Sequence, residues 1–269
     1  MRSLDPVERT RVGAVLEQRC ATRAAASSVP CSRTLLLVTA AAMSTAVAGA
    51  ARADAVVVDG RANIFGAGRT VAPDPGSAGP GLLPTAIVLF DAPERLVTFD
   101  TVTGLVSAKA VHPWWNGADG GPYATGNTDI LSYAGISGIK HDGATMFLVG
   151  VFTDGHEPAG DAPVRLDATL HTEALVISPL LFQTFFIGDG RTGTGSGSVQ
   201  VFNVPHGARM LYLGFADAYG FGDPIGLPGS YDDNGGELHV TFTIVPAPGV
   251  IVLAASGAAL ILARRRHRT

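Results

Sequence analysis

Cysteine and lysine are almost missing from this 269-residue chain, with two of each. Cys20 and Cys31 both precede the region read below as folded, so neither a disulfide framework nor a cysteine nucleophile is expected in the domain. Lys109 and Lys140 are the lysines, and all other basic residues are arginine, a skew that reflects genome composition more than chemistry. Charged residues make up 16% and aromatics 7%, too little charge for a disordered acidic tail. Glycine is frequent without a collagen period, and no heptad pattern supports a coiled coil. No internal repeat and no G-x-S-x-G nucleophile motif occurs.

What is present is an ordinary apolar content of 46%, enough to bury the core of one or two domains. The formal net charge of −4 conceals a partition, because basic residues crowd the two ends. Between Ala55 and Ala263 there are 19 acidic residues against 8 basic ones, leaving −11. That balance argues against a nucleic-acid partner.

The ends read as addresses. Thr34 to Ala50 is an apolar, small-residue run preceded by Arg33 and followed by Ala51-Arg52-Ala53-Asp54-Ala55, the pattern of a secretory signal peptide behind an extended charged flank. Residues 1–54 are therefore set apart as a signal helix and its flank, a core or membrane helix being the alternative. At the other end, Val245-Pro246-Ala247-Pro248-Gly249 leads into the uncharged run Val250 to Ala263, then Arg264, Arg265, Arg266, His267 and Arg268. The apolar run is short for a permanent span, and the arginines would hold its end on the cytoplasmic side. This order of parts over residues 245–269 resembles the PEP-CTERM sorting tail of exported proteins from bacteria that make extracellular polysaccharide. Ala247 stands where that signature usually has an acidic residue. The resemblance implies transient inner-membrane anchoring and removal by a membrane-embedded sorting peptidase, a simple tail anchor being the alternative.

Residues 55–244 show no sustained helical periodicity. Short β-rich runs recur between Gly, Pro, Asp and Asn clusters: Ala55-Val58, Ala86-Phe90, Leu96-Val102, Met146-Phe152, Leu180-Ile187, Ser198-Val204, Met210-Phe215 and Glu237-Val245. Leu238, Val240, Phe242 and Ile244 alternate with period two. The expectation is an all-β sandwich, with a short helix possible only around Thr172-Val176.

The stretch that opens at Phe185-Phe186-Ile187-Gly188-Asp189-Gly190, continues through Val204-Pro205-His206-Gly207-Ala208-Arg209-Met210-Leu211-Tyr212-Leu213-Gly214-Phe215-Ala216-Asp217 and ends in Pro228-Gly229-Ser230-Tyr231-Asp232-Asp233-Asn234-Gly235-Gly236-Glu237-Leu238-His239-Val240 is similar to the calcium-dependent bacterial galactose lectins. In those lectins an aspartate ends one strand, and a loop returns through an Asn-Asn pair. The resemblance implies a galactose-binding-like jelly roll and a hairpin-like region from Gly135 to Phe152. It also implies a Ca2+ site in which Asp217 is the strand-end carboxylate, Ser230 gives its carbonyl, and Asp233 and Asn234 are the paired ligands. Two departures stand out: the loop from Asp217 to Ser230 is longer than in the lectins, and Asp233 is acidic where they have Asn. The residues speak the same way, since Asp217, Asp223, Asp232, Asp233 and Asn234 gather the oxygens calcium prefers in a glycine-rich loop. An acidic turn that caps its own backbone is the competing reading.

Elsewhere, Gly188-Asp189-Gly190-Arg191-Thr192-Gly193 fits G-x-G-x-x-G but runs into another strand, and is read as a hairpin loop, not a dinucleotide site. The loop His112 to Tyr123 carries Trp114 and Trp115. Burial of one or both at the edge of the core is favoured. Stacking of Trp114, Trp115 and Tyr123 on a sugar ring is the alternative. His141, His156, His171, His206 and His239 lack metal-ligand spacing and read as solvated surface. Together these features lead us to expect an exported, non-catalytic envelope or matrix protein that binds calcium and, further, extracellular polysaccharide. A purely structural or adhesive module is the alternative. A glycosidase would need two converging carboxylates, with Asp119, Asp129, Asp142, Asp154 and Glu157 as candidates.

Overall fold

The computed structural model describes residues 51–75, 79–92, 94–123, 126–193, 195–222 and 224–246. The signal segment, Asp223, Ala247, Pro248, Gly249 and the arginines 264, 265, 266 and 268 lie outside them. Twelve strands follow in chain order: β1 (Arg52–Asp59), β2 (Thr85–Val88), β3 (Arg95–Ser107), β4 (Thr128–Ile130), β5 (Ile139–His141), β6 (Val149–Thr153), β7 (Leu166–Asp167), β8 (Val176–Ile177), β9 (Thr184–Phe186), β10 (Val201–Asn203), β11 (Met210–Gly214) and β12 (Gly235–Pro246). The helical pieces among the described residues are single 3-10 turns at Ile64–Gly66 and Ala168–Leu170, while Tyr219–Gly222 is a kinked turn with Gly220 and Phe221 at positive φ. The protein is all-β, as its strand patterning anticipated.

Two larger sheets share one core. The first has the order β1-β12-β3-β10-β8, and the second β2-β11-β6-β9. β12 shows why the first sheet forms: Leu238, Val240, Phe242 and Ile244 are fully buried on one face while Glu237 and His239 stay exposed on the other. Each such apolar side chain contributes about 1.5–3 kcal/mol on burial. Val97, Phe99 and Phe202 meet them from β3 and β10, and Ile87, Leu211, Leu213, Phe152 and Phe185 close the core from the second sheet. Phe99 lies edge-on to Phe202 at 5.2 Å, and Phe152 stacks on Phe185 at 5.1 Å. The long β3–β12 ladder contains one irregularity, where Thr241 pairs with Thr101 but Phe242 with Phe99. Asp100 is the extra residue, and its carboxylate accepts the Thr243 hydroxyl at 2.7 Å. A bulge there restores the inward alternation on both sides.

A small third sheet, β4-β5-β7, packs with a second apolar cluster built on Ile130, Ile136, Ile139, Phe147 and Phe186. It accounts for two departures from expectation. The region from Gly135 to Phe152 is not a hairpin, because β5 pairs with β4 and β7 whereas β6 pairs with β9 and β11. His141 is not solvated surface either, since it is 7% exposed and its ring sits 5.1 Å from that of Phe147 and 5.7 Å from that of Phe186. Burial lowers its pKa.

Thr172 to Val176 is a turn leading into β8, not a helix. Asp167 caps the preceding 3-10 turn through Thr169 N–H at 3.1 Å. The Gln200 amide then donates to the carbonyls of His171 and Ala174 at 3.0 and 2.8 Å, so those acceptors serve a loop contact instead of a further helical turn. The G-x-G-x-x-G segment is not the loop of a β9–β10 hairpin, because β9 pairs with β6 in the second sheet and β10 with β3 and β8 in the first; the connection crosses between sheets and turns back on itself only locally, where Arg191 bridges Val199. Both ends of the domain shift slightly outward from the sequence boundaries. β1 begins at Arg52, paired with Ile244, and β12 runs on through Val245 and Pro246, paired with Leu96 and Arg95.

Candidate functional site

β11 ends at Gly214, and Asp217 follows directly beyond it, while Asn234 immediately precedes β12. The segment between them is the acidic loop identified from sequence. Its fixed point is Tyr231, which is fully buried. The Asp217 N–H donates to the Tyr231 hydroxyl at 3.0 Å, and that hydroxyl donates to the Phe215 carbonyl at 3.3 Å. A buried aromatic ring with one polar handle thus ties the return limb of the loop to the end of β11. Sequence reasoning passed over Tyr231; its only signal was a large aromatic among turn residues, between Ser230 and Asp232.

Three other loops converge on the same turn. The turn after β1 is joined by Gly60 N–H donating to Gly236 O at 2.9 Å and by the Asn234 amide donating to Gly60 O at 3.1 Å. The Gly/Pro-rich segment contributes Gly81 N–H, which donates to Asp232 Oδ1 at 2.9 Å. Gly79 and Gly81 must be glycine here: both have positive φ, and an added Cβ would meet the Asp232 carboxylate or Tyr231 Cβ well inside contact distance. The loop after β3 contributes Ala110 N–H, which donates to Asp233 O at 2.6 Å.

This scaffold leaves a set of oxygens unanswered. Asp217 is 2% and Asn234 3% exposed. Asp217 Oδ1 accepts the Ala218 N–H at 2.7 Å. Asp217 Oδ2, Asp233 Oδ1 and Asn234 Oδ1 are buried with no hydrogen-bond partner. Burial holds the Asp217 carboxyl well above the usual carboxylate range, the Asp233 charge pushes the same way, and the neighbouring Asn234 amide and Ala218 N–H oppose it. Burial, with the Asp217 charge behind it, likewise raises the Tyr231 phenol. Leaving one buried acceptor unpaired costs about 1–3 kcal/mol. The competing reading is a turn whose side chains cap backbone N–H groups. Asp232 does behave in that structural way, being spent on Gly81.

Ser230 sits at φ 67°, a left-handed conformation rare for a residue with a side chain. Such strain persists where the surroundings impose it. Among the described residues no cluster of three or more His, Cys, Asp or Glu side chains exists, so any cation here would be held by two carboxylates and an amide. That donor set is all oxygen, and a bound cation would hold Asp217 and Asp233 ionised, which fits a hard divalent ion of calcium's preference.

The aromatic loop borders this turn. Trp114 and Trp115 are 56% and 48% exposed, which overturns the expectation that they line the core. Val106 and Asn116 pair through their backbones at 2.8 and 2.9 Å and pinch off the intervening loop, leaving the tryptophans at its outer side. Trp115 lies close over Gly236. Tyr123 is half-buried, with Phe221 of the acidic loop edge-on at 5.8 Å. It serves as packing, unlike the tryptophans. Phe221 and Ser230 bracket the loop with two of the five non-glycine residues at positive φ among those described.

The five carboxylates considered for glycoside hydrolysis are mostly committed. Asp129 is paired with Arg165 at 2.6 Å, Asp142 with Lys140 at 3.2 Å, Asp154 with His156 at 3.4 Å and Glu157 with Arg69 at 2.6 Å. Asp119 differs. Burial pushes its carboxyl up to about 6, although it accepts the Asp189 N–H at 2.8 Å. No helix among the described residues is long and apolar enough to cross a membrane. Comparisons with protein-family models, with curated proteins and with solved structures find no match to this chain.

Proposed function

We propose that the protein is an exported, non-catalytic component of the bacterial envelope or matrix. Its domain, a jelly roll of the galactose-binding-like kind, binds calcium through Asp217, Ser230, Asp233 and Asn234. The observation that carries this reading is the trio of buried, partnerless acceptor oxygens on Asp217, Asp233 and Asn234. Bound there, the ion would supply open coordination positions that sugar hydroxyls can fill. Asp217 and Asp233 neutralise its charge, Tyr231 positions Asp217, and Trp114 and Trp115 offer exposed apolar faces beside it. The export half rests on the signal-like segment before Arg52 and on the signature-helix-arginine order after Val245, with a membrane-embedded sorting peptidase as the partner.

A second reading has its own support. The acidic loop exposes Tyr219 at 87%, Leu227 at 51% and Ile225 at 46%, an apolar rim suited to adhesion, with calcium purely structural. A glycan array probed with calcium and again with excess chelator separates the two. Calcium-dependent capture of glycans supports the lectin-like reading; calcium binding by calorimetry with no glycan captured supports the adhesive one. Absence of calcium binding at millimolar metal overturns both. Mass spectrometry of the protein from its own cells should lack both the signal segment and the arginine cluster, and recovery of the intact basic tail would leave a tail anchor instead.

A further inference from the structure

We propose that the cavity between the β2–β3 turn and the start of β11 binds a carboxylate, of the kind a sugar acid carries. Two adjoining hollows of about 370 and 410 Å3 share Asp91, Arg95, Ala208 and Arg209 as walls, and His206 borders the first. Their size falls in the range of small-molecule sites. By strand register this is the far end of the sheets from the acidic loop, because β12 runs from Gly235, next to Asn234, to Pro246, which pairs with Arg95.

Arg95 is the unusual residue. Its side chain belongs to a residue only 7% exposed, and among the described residues it has no carboxylate within 4 Å. Its terminal nitrogens donate to Phe90 O at 2.6 Å and Ala208 O at 2.7 Å, which staples the two cavity walls together. Arg209 is exposed and likewise lacks an ion pair among the described residues. By contrast, Arg61, Arg69, Lys140 and Arg165 each lie 2.6–3.2 Å from an acidic partner. Arg191 and Lys109 also lack an acidic partner among the described residues, but Arg95 and Arg209 are the two that line one cavity, and the staple gives Arg95 a structural task while leaving Arg209 without one. Burial already lowers the Arg95 pKa; the Asp91 charge opposes that shift and the Arg209 charge adds to it.

The charge balance selects the ligand. Two guanidinium groups against the single Asp91 carboxylate leave one net positive charge, which matches a monoanionic carboxylate better than a dianionic phosphate. With the terminal nitrogens of Arg95 on the two backbone carbonyls, the fork free to take the two oxygens of a carboxylate side by side is that of Arg209, and Arg95 contributes its charge. The remaining volume and the polar backbone around Gly207 and Ala208 suit the hydroxyls of a sugar ring. The sugar part of this assignment rests on the glycan reading above; the anion site does not.

The test titrates galacturonate, galactose and inorganic phosphate into the purified full chain by calorimetry, with chelator in excess so that the cation site takes no part. Galacturonate should bind with a dissociation constant of about a millimolar, galactose about tenfold more weakly. Raising the salt to about 0.5 M should weaken binding. Arg209→Gln should weaken galacturonate about tenfold at an unchanged melting temperature, and Arg209→Lys should recover part of the loss. Equal binding of galactose and galacturonate, binding unaffected by Arg209→Gln, or binding of phosphate alone would each overturn the proposal. None of these outcomes depends on whether the Asp217 site holds calcium.

Discussion

The two ends of the β-sheets solve opposite problems with opposite chemistry. At one end, Asp217, Asp233 and Asn234 bury acceptor oxygens with no donor to meet them. At the other, Arg95 and Arg209 offer donors with no acid to meet them, Arg95 turning instead to backbone carbonyls. The same strands connect the two: β11 leaves Arg209 and arrives near Asp217, and β12 leaves Asn234 and arrives beside Arg95. A surplus of eleven negative charges would let every arginine find an acid. Arg191 also goes without one, so what distinguishes Arg95 and Arg209 is that they line one cavity together, just as the three acceptor oxygens of Asp217, Asp233 and Asn234 belong to one loop.

The largest expected effect tests the scaffold of the acidic end. Tyr231→Ala removes a fully buried ring and should cost about 3–5 kcal/mol by chemical denaturation. Tyr231→Phe keeps the ring but leaves the Asp217 N–H unpaired, and should cost about 1–3 kcal/mol. If the Phe variant were as stable as the parent, the hydroxyl would not be what fixes Asp217.

At the basic end, Arg95→Met should cost about 1.5–3 kcal/mol, because the carbonyls of Phe90 and Ala208 lose a charged donor. Arg209→Gln should change stability by less than about 0.5 kcal/mol. Equal losses at both positions would mean that the two arginines share one structural task.

Asp119 belongs to neither end and serves as a control for buried acid. Its pKa rises from 3.8 to about 6 on folding through burial. A carboxyl raised in this way contributes its stability below pH 4, where it is protonated in both states, and loses it as the pH climbs through 6. Fully expressed, the shift would be worth ~3 kcal/mol. Because the carboxyl is partly open to solvent, about 1 kcal/mol is the expected gain for Asp119→Asn above pH 6, with none at pH 3. Stability curves at the two pH values check the sign. The smallest effect belongs to the tryptophans: Trp114→Ala should leave stability within about 0.5 kcal/mol, since the residue is 56% exposed.

Much of the fold was legible because period-two alternation survives wherever a strand has one buried face, as in β12 with Leu238, Val240, Phe242 and Ile244. The short strands β4, β5, β7 and β8 were not, because two or three residues carry no period and their pairing depends on distant partners such as Val201 for Val176. In the acidic loop, the oxygen-bearing residue types were readable as a cluster of Asp and Asn. Its supports were not: Gly60, Gly81 and Ala110 act through backbone groups, which every residue possesses, and only the folded chain brings them to Asn234, Asp232 and Asp233. The tryptophans misled for a related reason. Apolar character argued for the core, but backbone pairing of Val106 with Asn116 closes the loop and keeps them outside it.

Thermal unfolding of the full chain with calcium and with chelator tests the central claim most directly. An ion that binds the folded arrangement and ignores the unfolded chain stabilises by about 2.7 kcal/mol at a hundredfold excess over its dissociation constant. For a domain of this size that is a rise in melting temperature of about 5–10 °C. Magnesium should give much less, since three oxygens on a long loop do not enforce a tight octahedron. Asp217→Asn and Asp233→Ala should each abolish most of the calcium-dependent rise while the metal-free protein stays folded. A melting temperature indifferent to calcium, or the full rise retained in both variants, would contradict the account and leave the Asp217 to Asn234 segment as an acidic turn alone.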